Sequence, residues 1–183
     1  MSDNETQDAG TEAATGGDQQ DQPKKKPTVR PVRILSQYTK DLSFENKLQP
    51  GRVLAPTATA DLQAKLDVTA TLLGDHQFEV CLHLEAEAKS ADQTIYLVEL
   101  VYAAAVELHD VPEEQVEPLL FIEVPRFIFP FVRAVVANVT RDGGFPGMMS
   151  ETVDFIEMYK RRLLARQKQQ QESADAEAPS TTH

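Results

Sequence analysis

Hydrophobic and polar residues alternate in several runs between Tyr38 and Lys89. In an extended chain successive side chains point to opposite faces, so a strict alternation marks a strand with one buried side. Tyr38-Thr39-Lys40-Asp41-Leu42-Ser43-Phe44-Glu45 reads in this way, with Tyr38, Leu42 and Phe44 on one side and Asp41, Ser43 and Glu45 on the other. Leu62, Ala64, Leu66, Val68, Ala70 and Leu72 alternate with Gln63, Lys65, Asp67, Thr69 and Thr71. After a turn at Gly74-Asp75, Phe78, Val80, Leu82, Leu84, Ala86 and Ala88 repeat the pattern against Glu79, Cys81, His83, Glu85 and Glu87. A second turn at Ser90 to Gln93 precedes a run of β-formers from Thr94 to Val106. Short turns between the last three strands predict antiparallel pairing.

The fourth run differs from the others because both of its faces are largely apolar. Tyr96, Val98, Leu100, Tyr102 and Val106 share one side, while Ile95, Leu97, Val101, Ala103 and Ala105 share the other with Glu99. Such a strand is covered on both faces or presents an apolar patch to a partner. Beyond it, Glu107 to Glu117 carries five acids and a proline and reads as a connection. Leu119 to Phe129, interrupted by Pro125, predicts a short helix or an irregular lead-in. From Pro130, Phe131, Val132, Val135, Val136 and Val139 recur at helical spacing until Asp142-Gly143-Gly144, a proline start and a glycine stop. A second helix is expected from Ser150, as its cap, with Val153, Ile156, Tyr159 and Leu163 on one face. Its cationic end, Lys160 to Arg166, suits the negative helix pole. The predicted fold is α+β: a four-stranded antiparallel sheet followed by two helices.

With 183 residues the chain suits one domain. Met1 to Gln22 has six acids and no base, and Gln167 to His183 is mostly polar, so neither offers apolar surface to offset ordering entropy. Residues 1–29 and 167–183 are therefore expected to be disordered tails around a body spanning 30–166. No apolar window is long enough to span a membrane, and the N-terminus lacks the basic start and apolar stretch of a secretory signal. A cytoplasmic location is expected, and the lone Cys81 agrees with a reducing compartment.

The net charge of -11 is uneven: Asp61 to Glu123 holds 14 acids against two lysines. Such a surface repels nucleic acid and attracts a cationic partner. Lys24 to Lys26 reads as a solvated linker cluster. An enzyme reading would start from Cys81 and His83, two apart on one strand face, but no orienting third group or exposing turn accompanies them. His76, His83, His109 and His183 show no metal-ligand spacing, and Gly143, Gly144 and Gly147 follow a helix instead of opening one. The expectation is a binding protein without cofactor or metal. Its aromatic residues Phe121, Phe127, Phe129 and Phe131 supply more apolar surface than one sheet face needs, which implies self-association or an open groove.

The run Tyr38 to Glu45 resembles the first strand of SecB, the export chaperone family of proteobacteria. The resemblance extends through Tyr96-Leu97-Val98-Glu99, the Phe129-Pro130-Phe131 segment, Arg141 to Pro146, and Val153-Asp154-Phe155 with Tyr159. It implies an ATP-independent chaperone that binds unfolded preproteins, assembles as a homotetramer (a dimer of dimers) and delivers its clients to the translocation ATPase SecA. By that resemblance Asp41, Glu45, Leu97 and Glu99 would dock SecA, and Val98, Leu100 and Tyr102 would serve oligomer packing. A groove for unfolded polypeptide is expected at Phe121, Phe127, Phe129 and Phe131. The alternative reading is a general holdase, or a small-ligand binding protein with an internal pocket and no SecA link.

Overall fold

The computed structural model of the protein describes residues 30–48, 60–90, 93–149 and 151–176. The expected N-terminal tail with Lys24 to Lys26, the expected cap Ser150 and the last residues from 177 onward lie outside the described residues. Four strands, β1 (Val32–Asn46), β2 (Asp61–Gly74), β3 (Gln77–Ser90) and β4 (Gln93–Leu108), form one antiparallel sheet in the order β1-β4-β3-β2. The two hairpins order β2, β3 and β4 by proximity, and β1 pairs with the far side of β4, so β1 and β2 are the edges.

Directly opposed residues share a face, and the registers therefore sort the sheet into two chemistries. Leu84 pairs with Leu100, Leu82 with Tyr102 and Ala86 with Val98, and this inner side is buried. The expected sidedness of β1 holds for Leu42 and Phe44, which pair with Leu100 and Val98, but not for Tyr38. The register shifts between Thr39 and Asp41, leaving Lys40 as a bulged extra residue, and Tyr38 pairs with Ala103 on the outer side. A bulge inserts one residue and so reverses the alternation beyond it, which periodicity cannot reveal. A second shift lies between Ile34 and Ser36.

The helical half departs from expectation in its boundaries. The acidic connection contains a short helix, α1 (Glu113–Pro118), followed by a π-helical turn (Leu119–Glu123) in which the Val124 N–H bonds to the Leu119 carbonyl five residues back. Helix α2 (Val124–Asp142) then begins with Pro125, not Pro130, in its first turn. Proline lacks an N–H and is tolerated where that donor would have no partner; the widened turn between Pro118 and Pro125 lets the chain stay helical across both. Pro130 sits inside α2 on its exposed side. Helix α3 (Phe155–Ala176) starts after Val153, and Asp154 caps it through bonds from the Ile156 and Glu157 N–H groups at 2.9 and 3.1 Å. It runs past Arg166, the expected limit of the ordered body.

Val124, Ile128, Phe129, Val132 and Val136 of α2 meet Val80, Leu82, Val98, Leu100 and Val106 of the inner face, and Phe155 closes one end of this core. The segment after α2 is fixed by the buried Thr140, whose hydroxyl donates to the Val136 carbonyl and accepts from the Met148 N–H, both at 2.9 Å. Phe44, Tyr96 and Phe145 form an aromatic cluster there, with the Tyr96 and Phe145 centroids 4.8 Å apart.

Candidate functional site

The outer sheet face is acidic around an apolar centre. Across the sheet one row runs Glu45, Leu97, Glu87, Gln63; the next runs Ser43, Glu99, Glu85, Lys65; the third runs Asp41, Val101, His83, Asp67. Leu97 is half-buried between Glu45 and Glu87, while Glu99 and Glu85 face each other directly, a like-charge pairing that costs stability in an isolated sheet. The four positions matched by resemblance to SecA docking, Asp41, Glu45, Leu97 and Glu99, thus come together on two adjacent strands. Glu85 and Glu87 of β3 continue that acidic patch and escaped the sequence reading, because register between strands is not visible in alternation.

Local partners shape the patch. Thr94 donates to Glu87 at 2.6 Å and Lys89 lies 3.0 Å from it, and these two contacts hold the Glu87 carboxyl below the usual range. Glu45 pairs with Lys47. At the patch boundary Lys40 and Tyr38 donate to the two oxygens of Glu79 at 2.6 and 2.5 Å. The Lys40 bond first, then that of Tyr38, lowers the Glu79 pKa. The bulge therefore places a cation where the acidic face ends.

Cys81 and His83 do share this face, with the Thr69 hydroxyl 2.9 Å from the His83 Nε2. Burial first, and then the Glu79 charge, pushes the Cys81 thiol up, the reverse of what an activated nucleophile needs.

The apolar residues assigned to a groove divide into two pairs. Phe121 and Phe129 are each 7 % exposed and belong to the core, Phe129 edge-on to Phe155. Phe127 and Phe131 are 53 % and 44 % exposed. Phe131 stacks on Tyr102 with centroids 6.3 Å apart, and Phe127 borders a hollow of about 800 Å³ with Val32, Ile34 and Leu119. Val98, Leu100 and Tyr102 are buried within the single chain, on the inner face.

Two further hollows, of about 440 and 410 Å³, lie side by side beneath the edge strand β2 and share Leu66. The first lies against Phe129, Met148 and Met149; the second lies against Phe121, Tyr159 and Arg162. Arg162 sits 4.2 Å above the Phe121 ring and donates to the Val68 carbonyl at 3.1 Å, fixing α3 along β2. Alternation identified the apolar side of β2, but only the tertiary course of α3 makes it one wall of a groove. Among the described residues no group of three or more His, Cys, Asp or Glu side chains could hold a metal, and no helix is long and apolar enough to cross a membrane.

A family model described as "Preprotein translocase subunit SecB" matches residues 24–168. The chain belongs to the SecB family. Curated members similar to it include the protein-export protein SecB of Rhodopseudomonas palustris strain BisB18, 41 % identical over 81 % of this chain and 90 % of that protein. The protein of the same description from Bradyrhizobium sp. strain BTAi1 is 42 % identical over 72 % of this chain and 82 % of its own. Among solved structures, the Mycobacterium tuberculosis SecB-like chaperone in complex with a ChAD peptide from the HigA1 antitoxin superposes with a TM-score of 0.56. It covers 67 % of this chain and 91 % of that one at 14 % identity, a likeness of fold.

Proposed function

We propose that the protein is an ATP-independent export chaperone that holds unfolded preproteins and delivers them to SecA. The observation that carries this reading is the segregation of the two sheet faces. An acidic outer face with Leu97 at its centre suits a protein partner with cationic and apolar contacts. The apolar hollows open at the inner side, beneath β2 and beside β1, where an extended chain can lay alternate side chains against Leu66, Met149 and Phe127. The two partners therefore need not compete for one surface, as a handover requires.

In this reading Asp41, Glu45, Leu97 and Glu99 dock SecA, while Phe127 and Phe131 with the β2 hollows receive the client. Phe121 and Phe129 form the floor beneath them. The homotetramer covers part of the apolar surface left by one chain, with Val98, Leu100 and Tyr102 supporting the packing from within. Binding depends on which clients remain unfolded long enough to be captured, since apolar side chains and peptide groups are shared by all of them.

The test is a refolding assay with an exported precursor diluted from denaturant in the presence of the purified protein. Release of active precursor is expected to slow in proportion to added chaperone without ATP. A precursor that refolds at its unassisted rate at every ratio contradicts the proposal.

A further inference from the structure

Among the described residues, helix α3 runs counter to the acidic surface. From Lys160 to Lys168 the helix α3 carries five bases and no acid. Arg162 and Arg166 turn inward, the former over Phe121 and the latter to Glu117 of α1. Lys160, Arg161 and Lys168 remain on the exposed side, with the 58 %-exposed Leu164 between them. Arg161 has Glu157 as an ion-pair partner at 3.3 Å, and this contact is itself largely in solvent.

The chain also carries a matching polyanion. Asp3, Glu5, Asp8, Glu12, Asp18 and Asp21 precede the first base, Lys24. Their point of attachment to the described body is Arg30, which lines the same hollow as Leu119, directly after α1. Glu117 at the end of α1 is the residue that holds Arg166. The tether starts beside β1, across the four-stranded sheet from the β2 edge along which α3 is anchored, a width of about 14 Å. Even Asp21, nine residues before Arg30, can reach about 30 Å at the extended-chain limit, whereas the basic stretch of α3 is about 12 Å long.

We propose that the acidic segment Asp3 to Asp21 docks on the Lys160, Arg161 and Lys168 ridge of α3 as a tethered competitor. An external polyanion would have to approach a molecule of net charge -11, while the segment is supplied at the high local concentration of an intramolecular partner. Arg161 and Arg162 also line the smaller β2 hollow, so the docked segment sits at the rim of that hollow and weakens client binding there. This last consequence rests on the reading of the hollow as a client site. Because the contacts are solvent-exposed charges, salt releases the segment.

The direct test is zero-length carbodiimide crosslinking of the full-length native protein, mapped by mass spectrometry. Crosslinks from carboxylates among Asp3 to Asp21 to Lys160 or Lys168 are expected. Their yield should fall several-fold at high salt and in Arg161→Gln, which leaves both lysines in place. Crosslinks confined to Lys24 to Lys26 or to lysines of the sheet, or a yield indifferent to salt and to Arg161→Gln, overturn the docking. In parallel, removal of residues 2–22 should raise client affinity several-fold at low salt and leave it unchanged at high salt. If the crosslinks form but client affinity does not respond, the docking stands and the client-site reading of that hollow is contradicted.

Discussion

Tyr38 and Glu79 meet on the outer face of the sheet, hydroxyl to carboxylate at 2.5 Å, although simple alternation places them on opposite sides. The bulge at Lys40 brings them together and contributes the second donor to Glu79 at 2.6 Å. The acidic face thereby acquires an edge: toward Asp41 and Glu99 the carboxylates are open to a partner, while Glu79 is engaged internally.

The sign of the Glu79 shift gives a pH dependence. A carboxyl whose pKa is lower in the folded state contributes stability above its unfolded value, about 4.3 for glutamate, and loses it as pH falls through the folded value. Glu79→Gln is expected to reduce stability at pH 7 by no more than about 1 kcal/mol, the scale of partly exposed ion pairs. It should also make the loss of stability below about pH 4 shallower than in the parent. Urea titrations at pH 7 and pH 3 measure both; a variant with the parent's acid slope contradicts the role.

Gly143 closes α2 against the ring of Phe44. A Cβ placed there would fall on the Phe44 ring, closer than carbon atoms approach. Its φ of -71° is ordinary for any residue, so the cost of Gly143→Ala comes from that ring and not from the backbone. Phe44 is held by Tyr96 and Phe145 and has little freedom to move. Gly143→Ala is expected to cost about 1–3 kcal/mol, as overpacking does, and Phe44→Leu in the same chain should recover part of it.

Ile128 and Phe131 are neighbours one turn apart on α2 but differ in burial, fully buried and half-exposed respectively. Ile128→Ala is expected to destabilise the chain by about 2–5 kcal/mol. Phe131→Ala should cost less in the folding of the chain and show its effect in client holding or association. Parallel denaturation and sedimentation of the two variants separate these outcomes; equal losses of chain stability contradict the division.

Leu66 borders both hollows beneath β2. Leu66→Asn is expected to weaken the holding of an unfolded precursor by roughly tenfold, the effect of removing about 1.4 kcal/mol of apolar contact, with SecA binding retained. A variant that holds precursors as well as the parent moves the client site away from β2.

Much of this was legible in the chain itself. The strands β2 and β3 alternate strictly, β4 is apolar on both faces, and the inward side of β2 and β3 was readable from the residues alone. The acidic patch of Asp41, Glu45 and Glu99 was reachable by alternation on single strands because no bulge separates those positions. Tyr38 was misplaced because a single inserted residue reverses the pattern without changing composition. The start of α2 was misplaced because three prolines interrupt Pro118 to Pro130, and a π-helical turn bridges them instead of a break. Glu85 and the β2 hollows depend on register and on the course of α3, which are properties of the folded chain. The phenylalanines illustrate the same limit: spacing along α2 does not say that Phe129 turns to the core while Phe127 turns out.

The claim that most needs testing is that the outer face recruits SecA independently of client binding. The measurement is calorimetric titration of SecA into the precursor-loaded protein and into its precursor-loaded Asp41→Ala, Glu45→Ala variant. Both positions are exposed, so the fold should tolerate the change. Measurable binding by the parent is expected, with at least a tenfold loss in the variant, which still holds the precursor. Undiminished SecA binding by the variant would contradict the claim.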